Sequence, residues 1–418
     1  MALLLLMIAI MPYEQSPYLY LGENLLGIFI DFTVIKLLGL LGFAWAGLRL
    51  ASGDPMVRRL RAPQVTLFGL FLVAVTLLGI VHGTGFQYVI GRYIAYLTFL
   101  PFLVMAVRTQ ADLGRVLKAL VISYAVVFPY AVRQMIRFGE RLGVGIYEAN
   151  YLATILVLLV PLAFVFASQQ RVPKRRWAWI GAGLVLIVMI YLTGSRGGFV
   201  GLVAAGVSFV YRRRGFAAAL AILLVLVASV LILPTELSTR ALATLSGDTS
   251  QLPSELEASN RAHVGLFWAA LRMISDNPFV GVGPLNFKDL STAYTGLPEG
   301  NMAHNMFLEI AAEEGLPVFV LFLLLLGTTF RALGAAARLR GGAEANELAG
   351  WAEGLRCGLT GYVIGGCFIS AEYEKILWIT VFLSIVVAEL ARRHRAAMVE
   401  EPAVGAVEGI GGPLPMPS

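Results

Sequence analysis

The chain has 418 residues, of which 58% are hydrophobic and only 14% charged, with a mean hydropathy of +0.78. Soluble domains run at about 45–50% apolar and about 25% charged, so a water-facing globule is excluded and the chain reads as a polytopic membrane protein. Its two cysteines, Cys357 and Cys367, share one apolar run and exclude a disulfide framework or thiolate metal cluster. The four histidines (His82, His263, His304, His394) form no HExxH pair and exclude a zinc hydrolase of that type. The net charge of +6 acquires meaning only when it is placed along the chain.

Taken in order, apolar runs long enough to span a bilayer lie near 27–49, 65–82, 86–107, 114–136, 148–168, 177–194, 197–211, 216–234, 315–335, 355–371 and 376–391. All are apolar all round, which predicts helices rather than barrel strands: an all-α bundle of about 11–12 spans. Segment 1–12 is only about 18 Å long as a helix. It reads as a trimmed first span, a short tilted one, or a sign of an upstream start. It lacks the basic region and cleavage site of a secretory signal. Asp31 and Lys36 fall within the 27–49 run and read as a structural pair or as contacts to a neighbouring helix.

The linkers orient the bundle. Basic residues cluster at Arg49–Arg61, Arg108–Lys118, Arg171–Arg176 and Arg212–Arg214, with further clusters at Arg331–Arg340 and Arg392–Arg395. One alternating frame puts all six on the same side, which the positive-inside rule makes cytoplasmic. The basic excess is therefore a topology signal and no nucleic-acid partner is expected. The chain divides into an N-terminal bundle (1–234), an external cap (235–303), C-terminal spans (304–395) and a tail (396–418) expected to be disordered. The cap carries four basic residues against seven acidic ones. Val264, Phe267, Leu271 and Ile274 recur at helical spacing and predict an amphipathic helix with that stripe inward.

Arginines on the extracytoplasmic side are the informative ones, because the topology rule does not ask for them. Arg133 and Arg137 are four apart on one predicted helix face, with Arg141 extending the stripe. Arg196 lies in Thr193-Gly-Ser-Arg-Gly-Gly198, and Arg261 opens the cap helix. A guanidinium fork fits phosphate oxygens in bidentate fashion, and arginine near a bilayer faces a cavity or a partner. For the 133–141 set, headgroup snorkelling or pairing with Glu140 and Glu148 is the alternative.

His304 sits where the cap re-enters the membrane. With Asn301 as N-cap it would occupy a first helical turn, where the helix dipole disfavours imidazolium and leaves a ring able to accept a proton. Glu313, nine residues on, falls on the opposite face and is expected to pack rather than orient His304. The Glu372, Glu374, Lys375 turn reads equally as an acceptor entrance or an anchor.

Three motifs resemble a known family. His304-Asn-Met-Phe-Leu308 with Glu313 and Gly315 resembles the His-Asn-x-x-Leu-x-x-x-x-Glu-x-Gly signature of the O-antigen ligase/polymerase family. Ser195-Arg196-Gly197-Gly198 is similar to that family's Ser-Arg-Gly turn. Asn260-Arg261 with Asp276-Asn-Pro278, Gly281-Val-Gly283 and Phe287 is similar to its cap motif. A second glycine often follows the Glu-x-Gly element, and here Pro317-Val318 takes that place, which bears on local helix packing.

The resemblance implies a GT-C-like glycosyltransferase on the periplasmic face of the bacterial inner membrane. Its donor would be an undecaprenyl-diphosphate-linked glycan and its acceptor lipid A-core (ligase) or another lipid-linked glycan (polymerase). By the same carry-over Arg196 and Arg261 hold the diphosphate and His304 activates the acceptor hydroxyl. Ser195, Asn305, Arg133, Arg137 and Arg141 are the remaining substrate-binding candidates. No Asp-x-Asp is present and Glu255-Leu-Glu257 reads as a solvated face, so no metal or cofactor is expected and the transfer is expected to invert. The rival from another class is a lipid-linked glycan transporter, which would place charged groups and broken helices in two repeated halves. No internal repeat is visible.

Overall fold

The computed structural model describes residues 1–14, 19–25, 28–84, 86–139, 141–143, 148–232 and 254–405. It is an all-α polytopic bundle with one small hairpin. After α1 (Ala2–Ile10) and a short 3-10 turn, β1 (Tyr20–Leu25) pairs antiparallel with β2 (Ile28–Thr33). Then come α2 (Val34–Ala51), α3 (Pro63–Val81), α4 (Phe86–Ala106), α5 (Gln110–Val126), α6 (Phe128–Phe138), α7 (Ala149–Gln169), α8 (Pro173–Leu192), α9 (Arg196–Arg214) and α10 (Phe216–Ile232). The cap holds α11 (Ser254–Asp276) and α12 (Phe287–Thr295), and the chain closes with α13 (Met306–Ala336), α14 (Ala343–Gly365) and α15 (Lys375–Gly405). Among the described residues, six helices are long and apolar enough to cross a membrane by length and composition.

Local chemistry sets the boundaries. Proline opens α3 and α8, where its missing N–H costs nothing. Thr109 and Asp112 close a capping box on α5. The predicted 114–136 run is two helices, because Pro129 in the first turn of α6 cannot continue the ladder of α5. The predicted 27–49 run likewise loses its first residues to β2. Ile28, Phe29, Ile30 and Phe32 suit a strand, and Thr33 then caps α2 through Lys36 N at 3.4 Å. Asp31 and Lys36 therefore belong to different elements. At the other end α15 runs on to Gly405, so the expected tail from 396 starts too early: Ala396, Ala397 and Met398 are good helix formers.

α7 forms the axis, buried over nearly its whole length and packed by α5, α8, α9 and α14. α9 and α14 cross closely. Each carries a Gly-x-x-x-Gly step, Gly197/Gly201 and Gly361/Gly365, and a Cβ on Gly201 would stand 2.7 Å from the Gly361 carbonyl oxygen. Small residues there let the two backbones meet, the usual solution for helices packing in lipid.

The six basic linkers gather at one end. Arg59, buried between α2 and α3, bonds to Glu389 and to the Val104 and Val107 carbonyls, while Arg393 reaches the same carboxylate at 3.0 Å. Arg108 pairs with Asp54. Gln110 meets the Glu344 carbonyl at 2.8 Å and His394 at 2.8 Å, and Arg213 bonds Ser168 at 3.0 Å. The candidate site lies at the opposite end.

Candidate active site

α13 is broken where it matters. Gly315 sits at φ 79° inside it and Pro317 follows. A continuous helix would pair the Ala312 carbonyl with Leu316 N and the Glu313 carbonyl with residue 317, which as proline has no donor. Both carbonyls instead receive the cap: Val282 N donates to Ala312 O and Gly283 N to Glu313 O, each at 2.8 Å, and Leu316 N donates to Pro278 O at 2.8 Å. The side chain of Glu313 completes the clamp by accepting from Leu285 N (2.8 Å) and Phe287 N (2.9 Å), the start of α12. Glu313 thus anchors the cap and does not address His304, and Pro317 takes part in the same break as Gly315.

His304 precedes the helix rather than lying in its first turn. The N-cap is Asn305, whose Oδ1 accepts from Phe307 N (3.0 Å) and Leu308 N (3.1 Å), while Asn301 lies out in the exposed approach. His304 itself adopts φ 50°, a left-handed backbone rare for a residue with a Cβ and costing of order 1–3 kcal/mol. Two neighbours hold it there: Ala303 N donates to Glu309 Oε2 at 3.0 Å, and Met306 N to the Ile369 carbonyl at 3.1 Å. Ser370 also donates to Glu309 Oε2, tying the His304 loop to the α14–α15 connection. Burial pushes His304 below the ordinary imidazole value of 6.5, with Glu148 pulling the other way. Its neutrality therefore rests on desolvation, because it lies outside the turn on which the dipole would act.

A second imidazole faces it. The rings of His263, on α11, and His304 have centroids 4.5 Å apart at 45°. Sequence spacing gave no warning of this pair, since 41 positions separate the two residues. α11 is seated against α13 by Leu266, Ala270 and Met273, packed with Phe287, Ala303 and Ala312. The predicted stripe is only partly turned inward: Val264 and Phe267 point outward, Leu271 is half-buried and Ile274 packs against this core. Arg261 lies on α11 one turn or less from His263, with its side chain outside the described residues, as are those of Glu255 and Glu257.

The Ser-Arg-Gly turn joins from another side. Ser195 is buried and caps α9 by accepting from Gly198 N at 3.1 Å, which makes Arg196 the first helical residue, half-buried. A Cβ on Gly197 would meet Phe368 Cβ at 2.6 Å, so this turn packs on the same connection that receives Met306. Ser195 and Asn305 use their side-chain oxygens as helix caps; they place Arg196 and His304.

The three arginines of 133–141 separate. α6 ends at Phe138 with Gly139 at φ 65°, so Arg141 leaves the helical stripe and turns inward. Its Nε donates to the Thr193 carbonyl (2.7 Å) and a terminal nitrogen to Asn150 Oδ1 (2.9 Å); Asn150 in turn donates to Glu148 at 2.6 Å. Arg141 therefore braces the turn before Ser195. Arg133 and Arg137 stand exposed on α6, with Arg137 over the Phe138 ring. The Glu372 turn anchors: Glu372 is buried, Trp378 donates to its carbonyl at 2.9 Å, and Lys375 pairs with Glu14.

Residues 181–323 match the family described as O-antigen ligase, a stretch that takes in the Ser195–Gly198 turn, Asn260-Arg261, the Gly281–Gly283 loop and His304 through Gly315. No curated protein matches the chain.

Proposed function

From the match of residues 181–323 to the O-antigen ligase family we infer a ligase/polymerase-type membrane enzyme, and we propose that it transfers a glycan from undecaprenyl diphosphate to an acceptor hydroxyl on the periplasmic side of the inner membrane, lipid A-core being the acceptor. The observation that carries this reading is His304: an imidazole whose proton affinity burial lowers, in a left-handed backbone, on a loop bound to the same 366–369 connection against which the first turn of α9 packs, at the end remote from the basic linkers.

In this reading His304 takes the proton of the acceptor hydroxyl as its oxygen attacks the anomeric carbon. The glycosidic C–O bond to the diphosphate breaks and its electron pair leaves with the phosphate oxygen. Arg196, at the positive end of the 19-residue helix α9, and Arg261 neutralise that growing charge, the task preorganised cations perform best. Attack from the face opposite the diphosphate inverts the anomeric configuration, which an NMR spectrum of the product reads directly; retention overturns this geometry. The chain offers no Asp-x-Asp for a divalent ion, so the leaving group is assigned to the arginines.

Deleting the gene and running the surface polysaccharide on a gel tests the reaction. Loss of capped lipid A-core with polymer kept on the lipid carrier supports ligation. Single-repeat products mark a polymerase of the same family, and donor glycan trapped on the cytoplasmic leaflet marks a transporter.

A further inference from the structure

α11 is apolar on two opposite faces, and among the described residues one of them is packed. Leu266, Ala270 and Met273 are buried in the cap core. On the far side Val264 (60%), Phe267 (43%) and Trp268 (56%) lie exposed within about 100° of arc. The loop that follows adds Phe279, 75% exposed, and Val280. A helix that is hydrophobic all round belongs inside protein or in lipid, and a contiguous apolar patch on a water-facing cap is a liability.

Two contacts fix the level of this patch. Leu316 N bonds to the Pro278 carbonyl, so Phe279 sits directly against the break in α13. From there the outward face of α13 continues through Leu316, Val320, Leu323 and Leu324, all exposed and all in a helix apolar enough to cross a bilayer. On the other side His82, which follows the last residue of α3, lies 3.3 Å from the Val280 carbonyl oxygen. The loop is therefore seated at the height where one span ends and another begins.

We propose that the outward face of α11, with Phe279 and Val280, is immersed in the outer edge of the bilayer, so that the cap lies on the membrane rather than standing in water. The occupant is lipid because Phe279 and Val280 adjoin the exposed apolar side of α13 through the Pro278–Leu316 bond, and because Trp268 is the amphipathic ring that gathers at the headgroup level. Such a helix sits about 5–10 Å into the headgroup and acyl boundary. Immersion also puts His263, on the same helix, at the membrane surface.

The test is a depth measurement on the full chain in liposomes. Spin labels are placed singly at Val264→Cys, Phe267→Cys and Phe279→Cys in a Cys367→Ser background, with Arg272→Cys as the flanking control. Immersion predicts collision with oxygen exceeding collision with a water-soluble nickel complex at the three apolar sites, and the reverse at 272. Nickel access at 264, 267 and 279 equal to that of a water-exposed loop overturns the proposal. Exclusion of both reagents together with spin–spin broadening between chains overturns it too, because the face would then be covered by a second copy. All three labels replace exposed side chains, so folding is not at issue.

Discussion

His304 combines a backbone cost with a chemical consequence. A base works only when neutral, and burial lowers the pH at which this imidazole takes up a proton. The acid limb of kcat/KM for transfer is therefore predicted to fall below the ordinary histidine value. The same depression makes the folded state acid-sensitive. As pH drops below 6.5 the unfolded chain binds a proton that folded His304 refuses, so stability falls until the folded pKa is passed. Thermal unfolding in detergent as a function of pH should show this slope, reduced in His304→Gln. At Glu313 the two amide donors of the cap depend on one carboxylate. Glu313→Ala strands them at about 1–3 kcal/mol each, and is predicted to speed proteolysis within 277–295 while the spans stay protected. The motif residues themselves were legible in sequence. Their division of labour was not: that Ser195 and Asn305 cap, that Arg141 braces, and that His263 meets His304 are facts of tertiary contact between segments far apart in the chain.

Elements were legible wherever hydropathy alone decides them. α3, α4, α7 and α8 fall within a few residues of their apolar runs, since a lipid-crossing helix needs length and little else. Failures occurred where local chemistry competes: β2 took the start of one run and Pro129 cut another. The face of α11 was misread at Val264 and Phe267 because both of its faces are apolar and periodicity reports only that a stripe exists. The α9–α14 crossing has a direct test. Gly361→Leu pushes a side chain into the Gly201 backbone, and overpacking of this kind costs about 1–3 kcal/mol. A lowered midpoint in a detergent thermal-shift assay is expected, with transfer falling further than stability because Arg196 rides on α9. An unchanged midpoint would show that the helices do not meet there.

At the scale of the whole molecule the bundle has two chemically distinct ends. One is cationic and structural, held by the Arg59–Glu389 pair among the basic linkers. Removing Glu389 leaves a buried guanidinium without its carboxylate, a loss worth about 3–5 kcal/mol. Glu389→Ala is thus predicted to express poorly or unfold early, whereas Arg393→Ala at the exposed edge of the same pair should cost much less. The other end gathers residues 141–143 with 148–150, 193–198, His263 of α11, His304 and 366–373, brought from five places in the chain by hydrogen bonds, ring contact and close packing.

That second end is the centre of the account. The most direct measurement is the rate at which purified chain in liposomes transfers an undecaprenyl-diphosphate-linked glycan to lipid A-core, wild type against His304→Gln, with folding of both checked by elution and thermal midpoint. Loss of the positioned base predicts a fall of about 10²–10⁴-fold. A well-folded His304→Gln chain transferring at the wild-type rate would contradict it.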